Sequence, residues 1–278
     1  IALRQRQMCI RDRDNVWSAW GAQMNGQLVP QFDGVSRAYE YYDNKASFYE
    51  TGTTFSNTVS FSTAGDNGNT RFSLTNLDND DISPNSTLDR NSIGINTSQN
   101  VGKNIRIDAN LKYLLEDQSG NPRLSDGPGN ANWIINHTSP SVDVNWGKGP
   151  NGDGRNDDLS EFQMTPSIYI QNPWFAQNYY VNDSEKERFI GSINMRWDLT
   201  DWLYARARVG ADRYDLHRTQ SEPFGTGYKP QGGINHYKLA FKQFDSDFFL
   251  GTDTVSYTHL RAHETRGNLV CRLQLEKK

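Results

Sequence analysis

The feature that most constrains this chain is a long alternation of apolar and polar residues with a period of two. From position 105 every second residue is apolar: Ile105, Ile107, Ala109, Leu111, Tyr113 and Leu115. The same pattern recurs at 189–199 and 203–212, and shorter versions lie at 55–63, 71–77, 93–99 and 237–241. Successive side chains of a β-strand point to opposite faces, so the pattern predicts about seven strands with one apolar and one polar face each.

The lengths of the strands and of their connections favour a membrane barrel. Several predicted strands have about ten residues, whereas strands of soluble proteins usually have about five or six and tilted membrane strands need about nine to eleven. Short connections at 65–69, 101–104 and 200–202 alternate with longer ones at 78–87, 117–185 and 217–235. Short periplasmic turns and long outer loops are typical of outer-membrane barrels. A soluble antiparallel sandwich, which buries its apolar faces between two sheets, stays open as the alternative.

Composition is compatible with both alternatives. The mean hydropathy is −0.80, and the chain has no run of about 18 apolar residues of the kind that a spanning helix needs. Membrane strands need only alternate apolar positions, so this does not exclude a barrel. Helical spacing is found only at 37–49, where we predict a short helix.

The two ends differ from the middle of the chain. Residues 1–13 and 255–278 are basic, have no sustained period and contain both cysteines, Cys9 and Cys271. We interpret them as non-native ends that resemble translated sequencing-adapter reads, which leaves 14–254 as the native segment. A native basic tail that binds anions or nucleic acid is the alternative. Acidic residues outnumber basic ones in 14–254, and we expect no nucleic-acid partner there.

Six short stretches occur in a fixed order along 15–249. They are WGAQMNG at 20–26, FYETG at 48–52, NTVSFS at 57–62, RFSLTN at 71–76, PNS at 84–86 and LTDWL at 199–203. In this order they resemble segments of the SusC/RagA-like TonB-dependent transporters. Gln23, Asn25 and the run after Ser62 depart from the usual pattern of that family. The resemblance implies an all-β fold: an incomplete antiparallel segment of a large transmembrane β-barrel, with 117–185 as one long outer loop.

The resemblance also implies a function and partners. Members of the family lie in the bacterial outer membrane and import oligosaccharides or peptides together with a SusD-like surface lipoprotein. TonB supplies the energy through a plug segment, which the matched stretches do not include. A secreted β-sandwich that binds carbohydrate or mediates adhesion is the alternative function. The sequence contains no Gly-x-Ser-x-Gly elbow and no distinct pair of carboxylates, so we do not predict an enzyme.

Charged residues on the predicted polar faces form one group of candidate site residues. They are Arg106, Asp108, Lys112, Arg188, Arg196, Asp198, Arg206, Arg208 and Asp212. In a wide barrel they would face a wet lumen. Ion pairing across strands and direct contact with substrate are the two interpretations.

Aromatic residues of the longest connection form a second group. They are Trp133, Trp146, Trp174, Phe175, Tyr179 and Tyr180. Exposed rings stack on sugars and peptide side chains, and aromatic residues are enriched at protein interfaces. We predict ligand or partner contact here, with packing of the loop against itself as the alternative.

An oxygen-rich turn at 151–158, together with Glu161, forms the third group. Asn151, Asp153 and Asp157 are spaced around Gly154 in a way that resembles half of a calcium loop. Gly149 stands where such a loop usually has its first aspartate. Calcium is the only cofactor that the sequence suggests, and a solvated turn is the alternative.

Overall fold

In the computed structural model, which describes residues 23–253, seven strands form one antiparallel sheet in chain order. They are β3 (Thr53–Gly65), β4 (Gly68–Asp80), β5 (Thr87–Val101), β6 (Ile105–Ser119), β7 (Val181–Asp198), β8 (Leu203–Glu222) and β9 (Gly233–Thr252). A separate hairpin, β1 (Leu28–Pro30) with β2 (Ser36–Ala38), precedes them, followed by helix α1 (Asn44–Phe48). The connection between β6 and β7 contains α2 (Ala131–His137), a 3-10 helix (Val144–Lys148) and α3 (Pro173–Tyr179). The two predicted non-native ends, at 1–13 and 255–278, lie outside the described residues, as does the start of the 20–26 stretch.

All seven predicted strands are confirmed, and each is longer than the sequence indicated. Their lengths run from 13 residues in β3 to 20 in β8 and β9. Strands of this length exceed the span of about nine to eleven residues that a tilted membrane strand needs. The sheet is open, with β3 and β9 as its edges.

The predicted helix at 37–49 is wrong in its first part. Arg37 and Ala38 belong to β2, where they pair with Val29 and Leu28. The helix starts only after Asp43, whose side chain accepts a hydrogen bond from the Ala46 amide, as an N-cap residue does. Tertiary pairing with β1 therefore overrides the helical spacing of the preceding residues.

The connections alternate as predicted. The short ones, at 66–67, 102–104 and 199–202, lie at one end of the sheet. The longer ones, at 81–86, 120–180 and 223–232, lie at the other end. No helix within residues 23–253 is long and apolar enough to cross a bilayer.

The hydrophobic core lies outside the sheet, in its connections and in the segment that precedes β3. Its buried members are Phe48, Ala131, Ile134, Ile135, Val144, Ile170, Phe175, Ala176 and Tyr180. Backbone and side-chain hydrogen bonds join 23–52, 81–86, 120–180 and 223–232 into one packed body, which we call the loop cluster. The sheet thus carries a compact body at its long-loop end.

One face of the sheet is apolar and uncovered. Cross-strand pairing places one residue from each strand in a continuous row on this apolar face: Phe61, Phe72, Ile95, Leu111, Gly191, Ala211 and Phe244. Phe61 and Phe244 are each 66% exposed. No second sheet covers this face within the described residues, whereas a sandwich would bury such side chains between two sheets.

The edge of the apolar face runs obliquely across the strands. Starting from the short turns, the first charged residue on this face is Asp117 on β6, Glu187 on β7, Arg213 on β8 and Lys242 on β9. The row through Asp117 meets β9 at Lys238, four residues before Lys242. On β4 and β5 the first charged residues of this face, Asp78 and Asp89, lie in the same row as Asp117. With a rise of about 3.3 Å per residue and strands about 4.8 Å apart, four residues over the five strand spacings from β4 to β9 give a mean slope of about 30°. Strands of membrane barrels tilt by about 35–45°, so a bilayer crossing at that tilt brings this edge closer to level.

Candidate functional site

The opposite, polar face of the sheet holds the predicted charges, and most of them are ion-paired. Arg188 forms a bidentate ion pair with Asp212, with Nε–Oδ1 and Nη2–Oδ2 distances of 2.9 and 2.6 Å. Asp108 accepts from Arg106 at 3.2 Å, and Arg208 pairs with Asp247 of β9. Pairing of neighbouring strand residues therefore explains these charges without a ligand.

Three arginines adjoin one another near the short turns. Arg106, Arg196 and Arg206 occupy one cross-strand row of β6, β7 and β8, and like charges in such positions repel. Arg196 is neutralised by Asp198 at 2.8 Å and by Asp253 at 2.6 Å. Arg206 and Lys112 have no ion pair within residues 23–253 and remain the predicted charges that are free to contact another segment or a substrate.

Two of the predicted aromatic residues are core residues of the loop cluster. Phe175 is 0% and Tyr180 7% exposed, with ring centroids 6.3 Å apart. Because both rings are buried, packing of the core alone explains why aromatic residues stand at these two positions.

The other four rings are half-buried, each with a polar or cationic neighbour. Trp174 donates from Nε1 to the Val144 carbonyl at 2.9 Å, and the Lys148 ammonium lies 4.4 Å from its ring centroid. Trp146 lies 4.3 Å from the Arg37 guanidinium, while Tyr179 faces Arg155 at 3.4 Å. Trp133 packs against the core from helix α2. Contact of these four rings with a ligand or partner stays a prediction.

Buried amide side chains organise the loop cluster, and the candidate set did not include them. Asn172 caps α3 through its Oδ1, which accepts from the Trp174 amide at 2.9 Å, and its Nδ2 donates to the Phe162 carbonyl at 2.8 Å. Pro173 follows at the first helical position. An asparagine cap followed by proline is a helix start that the sequence does display.

Glu161 joins two connections that are distant in sequence. It is 3% exposed and accepts hydrogen bonds from the amides of Asn172, at 2.5 Å, and Gly227, at 3.0 Å. Burial raises the pKa of this carboxyl to about 7, although the two amides act in the opposite direction. Because Gly227 belongs to 223–232, Glu161 ties that connection to 120–180.

We expect the loop cluster to become more stable as the pH falls from 8 to 5. The pKa of Glu161 is about 7 in the folded chain and 4.5 as its ordinary value, so the folded state binds the extra proton. The gain in stability is complete at pH values below 4.5, the ordinary pKa of the group. It is lost as the pH rises through 7, and it amounts to about 3 kcal/mol at most. Proteolysis rates of 120–180 between pH 5 and 8 measure it. Glu161→Gln should remove this pH dependence, and an unchanged slope would contradict the assignment.

The oxygen-rich turn is closed by its own hydrogen bonds. Asp153 accepts from the Arg155 amide at 3.0 Å and from the Tyr179 hydroxyl, and Asn151 donates to the Arg155 carbonyl at 3.1 Å. Gly154 has a φ of +90°, and a Cβ there would collide with the backbone of Phe175. No group of three or more histidine, aspartate or glutamate side chains within 23–253 is arranged to hold a metal. Calcium binding at Asn151, Asp153 and Asp157 stays a prediction.

Comparison with known proteins shows similarity in fold. No protein-family model and no curated protein matches the sequence. The chain is similar to solved structures of the RagAB peptide importer. For the closed-closed state the TM-score is 0.52 with 15% identity, and for the open-open state 0.53 with 14%. In both, the match covers 81% of this chain but 24% of the importer chain. The seven-stranded sheet thus resembles part of the barrel of a RagA-type importer, and the resemblance found in the sequence holds at the level of the fold.

Proposed function

We propose that this chain forms part of the barrel wall of an outer-membrane importer of the SusC/RagA type. In this arrangement the apolar face contacts lipid, the polar face lines the lumen, and the loop cluster lies outside the cell. The observation that carries the proposal is the uncovered apolar face with its charged edge, combined with a core that lies outside the sheet. A soluble sandwich would have the reverse distribution of buried residues.

We further propose that the complete importer takes up oligosaccharides or peptides with a SusD-like lipoprotein as its partner. The six ordered sequence stretches support this, and the similar solved structures are of a peptide importer. Energy from TonB would enter through a plug segment that the described strands do not contain. The similar structures are importers and not enzymes, which supports a non-catalytic role.

Deletion of the gene tests the function. We expect the deletion strain to lose uptake of labelled short peptides or oligosaccharides, and a plasmid copy to restore it. An affinity-tagged copy purified from the outer membrane should bring down a surface lipoprotein. Unchanged uptake of both substrate classes, or recovery of the protein only from the culture medium, would contradict the proposal.

A further inference from the structure

The polar face carries an apolar block where β8 and β9 approach the loop cluster. Tyr214 and Phe241 pair across the two strands, and their rings stack with centroids 5.0 Å apart at 19°. Leu216 pairs with Leu239 in the next row, and Tyr237 follows in the row beyond. Tyr237 and Leu239 are 52% and 53% exposed, so neither is covered within the described residues. We call these five residues the lumen block.

The lumen block is not an extension of the lipid-facing surface. Next to it on the opposite face of β8 and β9 lie charged residues, among them Arg213, Asp215, Lys238 and Lys242. Closer to the short turns the arrangement is reversed, and apolar residues such as Phe244 lie on the apolar face. At the charged edge the apolar residues of these two strands thus change from one face of the sheet to the other. In the proposed barrel, the block therefore faces the water of the lumen.

Two cations that form no ion pair within the described residues flank the lumen block. Lys186 occupies the same cross-strand row as Leu216 and Leu239, with its Nζ 5.3 Å from the Tyr214 ring. Arg218 pairs with Tyr237, and its Nε is buried without a hydrogen-bond partner within residues 23–253. Neither has an ion pair in that part of the chain.

The nearest acids are already occupied. Glu116 lies in the row of Lys186, but it accepts from Arg90 Nε at 2.7 Å. Asp212 already accepts hydrogen bonds from both Nε and Nη2 of Arg188. The local charge beside the block is therefore positive, and it suits a carboxylate.

The loop cluster adjoins the lumen block on the same face. Asn182 and Glu222 are polar-face residues at the long-loop ends of β7 and β8. Asn182 donates to the Asn121 carbonyl at 2.8 Å, and Glu222 pairs with Arg123 at 3.1 Å. From strand spacing and residue rise, the block with its two cations spans about 10 by 13 Å, enough for two or three residues of an extended peptide.

We propose that the lumen block binds short peptides that present apolar side chains and a free carboxylate. Leucine and stacked aromatic side chains receive the apolar side chains of the peptide, and Lys186 and Arg218 receive the carboxylate. Sugars fit less well, because leucine side chains offer no hydrogen bonds to hydroxyl groups. This inference rests on the proposed function, since it requires the polar face to line the lumen.

Calorimetric binding of one peptide in two forms to the complete importer tests this. The probes are Leu-Phe-Leu with a free carboxylate and the same peptide as its terminal amide. We expect Lys186→Met to weaken binding of the carboxylate form about tenfold and to leave the amide form unchanged. Leu239→Ser should weaken both forms, since the apolar contact is common to them. Lys238→Met removes the same charge from the opposite face of β9 and should change neither.

Three results would overturn the inference. Equal effects of Lys186→Met on both forms, or none, would exclude carboxylate recognition. A lower melting temperature with unchanged affinity would show that another segment of the protein permanently covers the block. Absence of any peptide binding or uptake by the unaltered importer would instead refute the proposed function itself.

Discussion

Replacing Leu111 by arginine should prevent the sheet from assembling in a membrane. Leu111 lies midway along the apolar positions of β6, between Ile95 and Gly191 in its row. An arginine at the bilayer midplane on the lipid face of a barrel costs about 2–4 kcal/mol. Because folded proteins are only marginally stable, a loss of that size removes a large part of the free energy of folding. The fraction of protein that resists urea extraction from outer membranes measures the effect.

The matched control is Asn110→Arg, one residue earlier on β6. Asn110 belongs to the polar face and is exposed, so the same side chain at this position would remain in the wet lumen. We expect its membrane fraction to equal that of the unaltered protein. Equal loss from both substitutions, or loss from neither, would contradict the assignment of the two faces.

Replacing Phe175 by alanine should unfold the loop cluster while leaving the sheet in place. Phe175 is fully buried at the centre of the cluster, and truncation of a buried phenylalanine costs about 3–5 kcal/mol. The hydrophobic core of the cluster is small, so its other contacts cannot compensate for this loss of stability. Limited proteolysis should then cut within 120–180 much faster, while the strands remain protected.

Tyr169→Ala provides the comparison within the same connection. Tyr169 is 67% exposed, and its removal leaves no cavity in the core. We expect its cleavage rate to match that of the unaltered chain. If both variants were cleaved equally fast, the loop cluster would not be a cooperative packed body.

The sequence predicted the sheet best where one face stays apolar along most of a strand. The odd positions of β6 are apolar from Ile105 to Leu115, so its alternation was visible without a structure. β9 does not, because Tyr237, Leu239 and Phe241 lie on one face and Phe244 on the other. The alternation therefore breaks in the middle of β9, and the prediction covered only its first part.

Within the candidate site, the sequence could place charges on a face but could not pair them. The partners of Arg196 and Arg208 include Asp253 and Asp247, which depend on the register of β9 against its neighbours. The sequence placed Glu161 beside the oxygen-rich turn but could not predict its burial, because that burial depends on Gly227, which is distant in sequence. Alternation is a local property, whereas register and burial arise from contacts between distant segments.

Spin labels along β6 test the barrel wall most directly. Single labels at each position from 107 to 112, introduced into the complete protein after its other cysteines are replaced by serine, report access to oxygen dissolved in lipid and to a water-soluble nickel chelate. We predict a period of two, with 107, 109 and 111 accessible to oxygen and 108, 110 and 112 accessible to nickel. Odd positions shielded from both reagents would show that a second sheet covers the apolar face, and would contradict a membrane barrel.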